Sequence, residues 1–305
     1  MLNSRSSIHS QTASTKLIGA MPITLDEVRR RILIAMVSDD QLMNTLVLKG
    51  GNALALVHAV GKRASLDMDF SIATQFPDLA DAKARIFRSL RREFAEVGYV
   101  LIDEEFVPKP TELRADQPEW WGGYFIEFKL VARDIYNSHS DNLDTLRRQA
   151  AVLGPGQRRK YTIDISKNEY CASKIKKTID DYVIYVYSLE MIAIEKLRAI
   201  CQQMPQYATT RTKTPRARDF YDIHEITRQP GVDLNTPGNR EIFRHIFEAK
   251  HVPLELLGEI HKYKGYHEPD WPAVEASISG EHQAFDHYFN RVVELVSQFH
   301  SLWVK

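Results

Sequence analysis

The sequence predicts an α/β domain over about the first two thirds of the chain, followed by a helical C-terminal domain. Between residues 23 and 187, short alternating segments typical of strands are interspersed with segments of helical periodicity. From Ser188 onward the apolar residues recur at helical spacing. We therefore expect domains at 23–187 and 188–305, with a flexible N-terminal tail over residues 1–22.

The composition is ordinary for a globular protein and argues against several classes. The chain has 305 residues with 40 basic and 40 acidic side chains, so its overall charge gives no indication of nucleic-acid binding. Cys171 and Cys201 are too few for a disulfide framework and are typical of free thiols in a reducing compartment. The sequence has neither a long apolar run nor an N-terminal apolar region of the secretory kind. We expect a cytoplasmic protein that does not contact membranes.

The predicted elements of the first domain begin with a helix over residues 23–38, for which Thr24 is a suitable N-cap. A strand is predicted before the turn Gly50-Gly51-Asn52, and a short helical run follows that turn. Farther along, we expect helices at 78–97 and 141–151, and strands at 66–72, 99–106, 124–131, 161–165 and, as a short strand or linker, 183–186.

The predicted strand at 66–72 contains two carboxylates. Because side chains alternate along a strand, Asp67 and Asp69 point to one face and their apolar neighbours point to the core. Two adjacent carboxylates repel each other unless a cation lies between them, and Mg²⁺, which usually binds together with phosphates, prefers oxygen ligands. The alternative is that both aspartates only form the solvent-exposed face of an amphipathic strand.

The turn Gly50-Gly51-Asn52 precedes a helix, where backbone N–H groups can bind an anion. This turn and the aspartate pair are separated by a single predicted hairpin. A phosphate-binding turn beside a metal-binding acid pair predicts an enzyme of nucleotidyl transfer.

Two charged motifs lie in the predicted helices of the second domain. Lys196 lies in the middle of SLEMIAIEKLRAICQQM, a helix for which Ser188 is a suitable N-cap. The segment RARDFYDIHEIT places Asp219 and Asp222 on one helical face. Both motifs are also compatible with ordinary solvated helix surfaces. Three amphipathic helical runs follow residue 231.

Taken together, these motifs resemble the AbiEii/AbiGii-type nucleotidyltransferase toxins, within the DNA polymerase β-like nucleotidyltransferase superfamily. KGGNALAL followed by KRASLDMDFSI is similar to the family's first motif, with Asn52 and Met68 as departures from it. EKLRA is similar to the third motif and RARDFYD to the fourth. The resemblance covers most of the chain. It implies a polymerase β-like mixed sheet with flanking helices and a helical C-terminal domain that completes the active-site cleft.

The resemblance also implies roles for single residues. Asp67 and Asp69 are expected to bind Mg²⁺ (or Mn²⁺), and Lys196 and Asp219 to complete the catalytic set, with Asp219 either orienting the lysine or acting as the base. Asp164 is favoured over Glu127 as a third carboxylate that binds metal or accepts a proton. The expected nucleotide-binding residues are Gly50, Gly51, Asn52, Arg63, Ser65, Arg216 and Arg218.

The implied activity is transfer of a nucleoside monophosphate from an NTP to an acceptor hydroxyl, with release of pyrophosphate. The expected acceptor is the 3′ end of tRNA, so that the toxin blocks translation in a phage-defence system. An antitoxin from a neighbouring gene is the expected protein partner. Basic elements at 88–92, 157–160 and 211–218 are candidates for a local tRNA surface.

Three alternatives to this activity remain open. The acceptor can instead be the hydroxyl of a protein or of a small molecule. The chain can also be a non-catalytic module that binds RNA or a partner. Trp120 and Trp121, in a long polar loop, either stack a base or pack the loop.

Overall fold

A mixed β-sheet is the central layer of the computed structural model, which describes residues 22–61, 63, 65, 67–111, 118–152, 158–210 and 212–304. The strands of the described residues are β1 (Val47–Lys49), β2 (Met68–Ser71), β3 (Tyr99–Lys109), β4 (Gly123–Ala132), β5 (Tyr161–Ser166), β6 (Ile175–Ile179) and β7 (Tyr182–Val186). Their order across the sheet is β3-β4-β5-β2-β1-β7-β6.

The register at the middle of the sheet brings three charged residues into one row. Strand β2 runs antiparallel to β1, with Lys49 opposite Asp69, and parallel to β5, with Asp69 beside Asp164. On β4 the next member of the row is Phe125. Residues paired in this way point to the same face of a sheet, so the lysine and the two aspartates lie side by side.

Helices flank both faces of the sheet. In the first part of the chain they are α1 (Leu25–Val37), α2 (Asp40–Thr45), α3 (Gly50–Ala53), α4 (Leu79–Glu96), α5 (Arg133–Ser138) and α6 (Leu143–Gln149), and a π-helical turn at Leu54–His58 extends α3. Phe94 of α4 packs on Phe128 with ring centroids 5.9 Å apart. Phe128 lies three residues from Phe125 on β4, so α4 covers the face opposite Asp69.

The last third of the described chain is helical. Its α-helices are α7 (Leu189–Cys201), α8 (Ala217–Thr227), α9 (Pro237–Glu248), α10 (Lys264–His267), α11 (Trp271–Glu275) and α12 (Phe285–Ser297), and 3-10 turns span Leu254–Tyr263, Glu268–Asp270 and His300–Leu302. The main hydrophobic cluster extends from Val28 in α1 to Leu302, so the sheet and these helices share one core. Within the described ranges, no helix combines the length and the apolar character that crossing a bilayer requires.

The predicted α/β fold with a mixed sheet and a helical C-terminal part is confirmed, and most element boundaries agree within a few residues. Strand β6 and helices α2, α5, α10 and α11 were not predicted. The sequence of β6, IKKTI, is polar in its middle, and the pairing of β6 with β7 stabilises it as a strand. Of the expected N-terminal tail, residues 1–21 lie outside the described residues.

His267 of α10 stabilises the start of α8. Its ring is fully buried beside Phe220, and its Nδ1 accepts a hydrogen bond of 3.0 Å from the backbone N–H of Arg216. Burial lowers the pKa of His267 to about 4 because the charged imidazolium loses its hydration. The contact matters for the cavity described below because α8 contains Asp219.

We expect this histidine to make the protein less stable in acid. The unfolded chain takes up the proton near the ordinary pKa of 6.5, whereas the folded protein resists until about 4. Stability is therefore complete above pH 6.5 and falls progressively down to about pH 4, by at most about 3 kcal/mol at about 1.4 kcal/mol per pKa unit. Thermal unfolding of His267→Asn, which retains an acceptor but does not titrate, should depend less on pH across this window. Equal slopes in the two proteins would contradict the assignment.

Candidate active site

A cavity of about 510 Å³ lies between the sheet and helices α7 and α8. Among the predicted site residues, those that line it are Gly50, Gly51, Arg63, Ser65, Asp67, Asp69, Asp164, Lys196, Arg216, Arg218 and Asp219. Asn52 and Glu127 do not line it. The fold thus brings together residues that lie up to 169 positions apart in the sequence.

The two aspartates of the DxD segment both line the cavity but have different surroundings. Asp67 lies just before β2, and its Oδ1 accepts a hydrogen bond of 2.6 Å from the hydroxyl of Thr162. Asp69 is half-buried. The pKa of Asp69 is raised to about 6, chiefly by burial and in part by the neighbouring Asp164, while Lys49 opposes the rise. A cation between these acids would relieve that repulsion.

The third carboxylate beside the pair is Asp164. It lies next to Asp69 in the parallel register, and its Oδ1 accepts a hydrogen bond of 2.6 Å from Nζ of Lys109. Glu127 lies one strand farther away, opposite Thr162, and forms an ion pair of 2.5 Å with Lys160. The position of Asp164 favours it over Glu127 for a role in the cavity.

The glycine turn packs directly against the acids and the residues before them. Gly50 has φ of +71°, and a Cβ there would lie 2.5 Å from Oδ2 of Asp69. A Cβ on Gly51 would lie 2.8 Å from Cβ of Ser65 and 3.1 Å from a guanidinium nitrogen of Arg63. Both positions therefore require glycine, and the backbone of the turn borders the space beside Asp69.

Asn52 has a different place from the one expected. Its side chain is fully buried, and its Nδ2 donates a hydrogen bond of 2.7 Å to the backbone carbonyl of Asp67. The expectation that this side chain contacts a phosphate is corrected accordingly, because it points away from the cavity. Asn52 instead holds the backbone of Asp67 against the glycine turn.

Lys196 lies between two carboxylates of α8. Its buried Nζ is 2.9 Å from Oδ1 of Asp219 and 2.7 Å from Oδ2 of Asp222. Asp222 in turn accepts two hydrogen bonds from Arg63, of 3.0 and 3.3 Å. Burial alone would lower the pKa of Lys196, but the two aspartates raise it. The lysine is therefore charged at neutral pH and held in one orientation.

The two arginines of the RARD segment lie on either side of Asp219. Arg216 is half-buried and lies 3.7 Å from Oδ2 of Asp219, whereas Arg218 is exposed at the cavity. Burial alone would raise the pKa of Asp219, but Lys196 and the two arginines hold it well below the ordinary value. Asp219 is therefore a weak base that orients cations.

A second group of charged residues lies deeper in the cavity. Glu169 forms two hydrogen bonds with Arg198, of 2.7 and 3.2 Å, and lies 3.7 Å from Nζ of Lys49 and 3.6 Å from Nζ of Lys250. Glu195 lies 3.4 Å from Lys49 and 3.3 Å from Arg198. Burial alone would raise the pKa of Glu169, but the three cations lower it to about 2.

These inner residues and Asp222 were missed as site residues. Lys49 directly precedes the glycine turn, Glu195 and Arg198 belong to the EKLRA segment, and Asp222 belongs to RARDFYD, so motif membership could have indicated all four. Glu169 and Lys250 lie in polar segments without a recognisable pattern. Only the packing of the loop after β5 and the end of α9 against α7 brings these two residues together.

The acids are compatible with a Mg²⁺ ion that binds together with a nucleotide. Within the described ranges, no group of three or more His, Cys, Asp or Glu side chains is arranged to hold a metal alone. Mg²⁺, however, is often held by one or two carboxylates together with the oxygens of substrate phosphates. The carboxylates of Asp67 and Asp69 supply such a set, beside a turn whose backbone is accessible.

The basic elements lie at different sites in the structure. Arg88 is on α4, which covers the face of the sheet opposite the cavity, and so does not face the acids. Arg158 is exposed and lies 3.9 Å from Oδ1 of Asp67, whereas Arg159 donates to the carbonyl of Ala150. Arg211 and Gln157 are outside the described residues. Of these elements, 158–160 and 212–218 adjoin the cavity.

The fold and the cavity define an enzyme of the nucleotidyltransferase class. The family model for "Nucleotidyl transferase AbiEii toxin, Type IV TA system" matches residues 31–291. The chain therefore belongs to the AbiEii family of nucleotidyltransferase toxins, as the resemblance of its motifs predicted.

Solved structures of similar fold include a candidate nucleotidyltransferase from H. pylori. It is 16% identical, with a TM-score of 0.47, and the match covers 90% of this chain and 93% of that chain. Another is an antigenic nucleotidyltransferase-like protein from Paracoccidioides brasiliensis, at 15% identity and a TM-score of 0.38, covering 85% of this chain and 97% of that chain. No curated protein matched the sequence.

Replacing Gly50 by alanine should inactivate the enzyme without unfolding it. The new Cβ would displace Asp69, and we expect nucleotide transfer to fall at least about 100-fold, as it does on loss of a group that stabilises the transition state. Gly61→Ala is the matched control, because Gly61 has φ of +79° and a Cβ there would meet nothing within 4 Å. Both variants should lose about 1–2 kcal/mol of stability from the backbone. Equal activities of the two variants would refute the proposed contact.

Proposed function

We propose that this toxin transfers a nucleoside monophosphate from an NTP to an acceptor hydroxyl and releases pyrophosphate. The observation that supports this most directly is a single cavity that joins the acid pair, the glycine turn and the buried Lys196. We also propose that residues 23–187 and 188–305 are the two domains between which this cavity forms.

The triphosphate is proposed to bind on the side of the cavity formed by the glycine turn and α8. Backbone N–H groups of Gly50 and Gly51 bind phosphate oxygens, and Ser65 and the exposed Arg218 adjoin them. Lys196 contributes a charge beside the leaving pyrophosphate, and Asp219 and Asp222 orient it. Arg63 holds Asp222, and Arg216 lies at Asp219, so these arginines position the lysine's partners.

Asp67 and Asp69 would hold the Mg²⁺ (or Mn²⁺) ion, which when bound offsets the negative charge of the phosphates. In the proposed reaction the acceptor oxygen bonds to the α-phosphorus, and the bond from this phosphorus to the bridging oxygen breaks. The electrons of that bond leave with pyrophosphate. Asp164 is proposed to accept the proton of the hydroxyl, and a hydrogen bond from Lys109 to its Oδ1 fixes the orientation of this carboxylate.

The proposed acceptor is the 3′ end of tRNA, which would explain how the toxin blocks translation, including in phage defence. Membership of a type IV toxin–antitoxin family implies an antitoxin partner, and we propose that a neighbouring gene encodes it. We further propose that the protein acts in the cytoplasm. The exposed cations Lys109 and Arg158 beside the acids are suitable for the phosphates of an RNA. Labelling of a protein, or of neither polymer, would instead favour a protein acceptor or a binding module.

Asp69→Asn should abolish nucleotide transfer. The change removes one charge of the proposed metal site while leaving the packing of β2 intact, so we expect activity to fall at least about 100-fold with little loss of stability. Incubation with each labelled NTP, Mg²⁺ and either total tRNA or total protein measures the transfer. Glu127→Gln is the control, since this carboxylate lies outside the cavity and its loss should preserve labelling. Transfer by Asp69→Asn at the wild-type rate would contradict the assignment of Asp69 as a metal ligand.

Reversing one exposed charge tests the tRNA surface. Arg158→Glu should weaken tRNA binding about 10-fold and lower the slope of log affinity against log salt by about one, as expected for loss of a phosphate contact. Arg88→Glu, an equal change on the opposite face of the sheet, should leave the affinity unchanged. Arg159 is unsuitable because its guanidinium binds the carbonyl of Ala150. Equal affinities of the two variants would argue against RNA binding at this surface.

A further inference from the structure

The cavity continues past the acids into a pocket beneath α7. We call this pocket the inner chamber and define it by Lys49, Trp121, Glu169, Arg198, Gln202 and Lys250. Ser166, two residues beyond Asp164 on the same face of β5, connects the acids to it. Arg198 on α7 and Gln202, which caps the end of that helix, lie one turn apart, so one side of the helix lines the chamber.

The inner chamber has an excess of positive charge. Lys49, Arg198 and Lys250 bring three positive charges against two negative charges of Glu169 and Glu195. All three cations are at most 6% exposed. Burial lowers the pKa of Lys250 to about 8, which shows how poorly its charge is solvated. A ligand that presents oxygen acceptors would therefore be favoured over one that presents donors.

Trp121 forms an aromatic side of the chamber. It is half-buried and lines the cavity, whereas the neighbouring Trp120 turns away and packs on His251 with ring centroids 4.5 Å apart. Nζ of Lys250 donates to the carbonyl of Lys167 at 2.6 Å and lies 3.5 Å from that of Trp120. The tryptophan pair is thus held in place from the helical side, and the indole of Trp121 borders a polar pocket.

The proposed phosphate-binding residues and the exposed cations occupy two sides of the acids, and this limits where the nucleoside can lie. The glycine turn and Lys196 lie on one side of the acids, where the triphosphate is proposed to bind. The exposed Lys109 and Arg158 mark the side open to a large acceptor. A nucleotide whose α-phosphate lies at the acids must place its ribose and base elsewhere, and the inner chamber is the enclosed space that remains.

We propose that the inner chamber is the nucleobase subsite, in which Trp121 stacks on the base and the net positive charge of the chamber attracts its carbonyl oxygens. This assignment rests on the NTP substrate proposed above. Cytosine, uracil and guanine have a ring carbonyl and adenine has none. The enzyme therefore binds CTP, UTP or GTP in preference to ATP, and base–aromatic stacking adds to the affinity of each.

Calorimetric titration of the full-length protein in Mg²⁺ tests the subsite, with the four NTPs and inorganic tripolyphosphate as probes. We expect at least one carbonyl-bearing NTP to bind at least 10-fold more tightly than both ATP and tripolyphosphate. Trp121→Ala should lose at least 10-fold in affinity for that NTP and retain its affinity for tripolyphosphate. Trp120→Ala is the matched control and should bind both probes like the wild type.

Each other outcome has a defined meaning. Tripolyphosphate binding equal to that of every NTP, or an NTP affinity unaffected by Trp121→Ala, would overturn the subsite and leave the proposed function standing. ATP binding as tightly as the carbonyl-bearing NTPs would overturn the preference for carbonyl oxygens. Failure of all five probes to bind would overturn the proposed function and the subsite with it. Trp121→Phe, which retains a stacking ring, should keep most of the affinity and serves if the alanine variant does not fold.

Discussion

The ion pairs of Lys196, together with the pair between Arg63 and Asp222, join the two sides of the cavity, and the geometry of the site depends on them. The lysine is on α7, Asp219 and Asp222 are on α8, and Arg63 precedes β2 and binds the second aspartate. Breaking a buried pair on one side costs about 3–5 kcal/mol because the remaining charge stays unpaired. The chain of contacts therefore holds the sheet and the helices at a set separation while leaving room beside the glycine turn.

A second set of buried ion pairs connects another face of α7 to the sheet and to the segment after α9. Arg198 binds Glu169 after β5, and Glu169 also lies near Lys49 on β1 and Lys250 after α9. Charged groups enclosed in this way are rigid, since each loses hydration that only its present partners replace. Helix α7 thus contains both Lys196, which is proposed to contact phosphate, and Arg198, which lines the inner chamber, although its sequence shows only a run of charged and apolar residues.

The fold class, and those site residues that belong to recognisable local motifs, could be predicted from the sequence alone. Alternation placed Asp67 and Asp69 on one face of a strand, and the glycine turn and helical charge motifs were each recognisable from their own segment. Strand register was not available from local pattern, so Asp164 could only be favoured over Glu127 until β2 and β5 were seen to pair. The buried partners of Glu169 depend on contacts between distant segments, which no periodicity encodes.

The cations around the acids form a buried group and an exposed group, which suit a small substrate and a large one respectively. Lys49, Arg198 and Lys250 are buried and inaccessible to a polymer, whereas Lys109 and Arg158, which lie beside Asp164 and Asp67, have side chains more than half exposed. A nucleotide can enter and replace water at the buried groups, where low dielectric strengthens each polar contact. A macromolecular acceptor can reach only the exposed ones. The acids lie at the boundary, where a reaction between two such substrates has to take place.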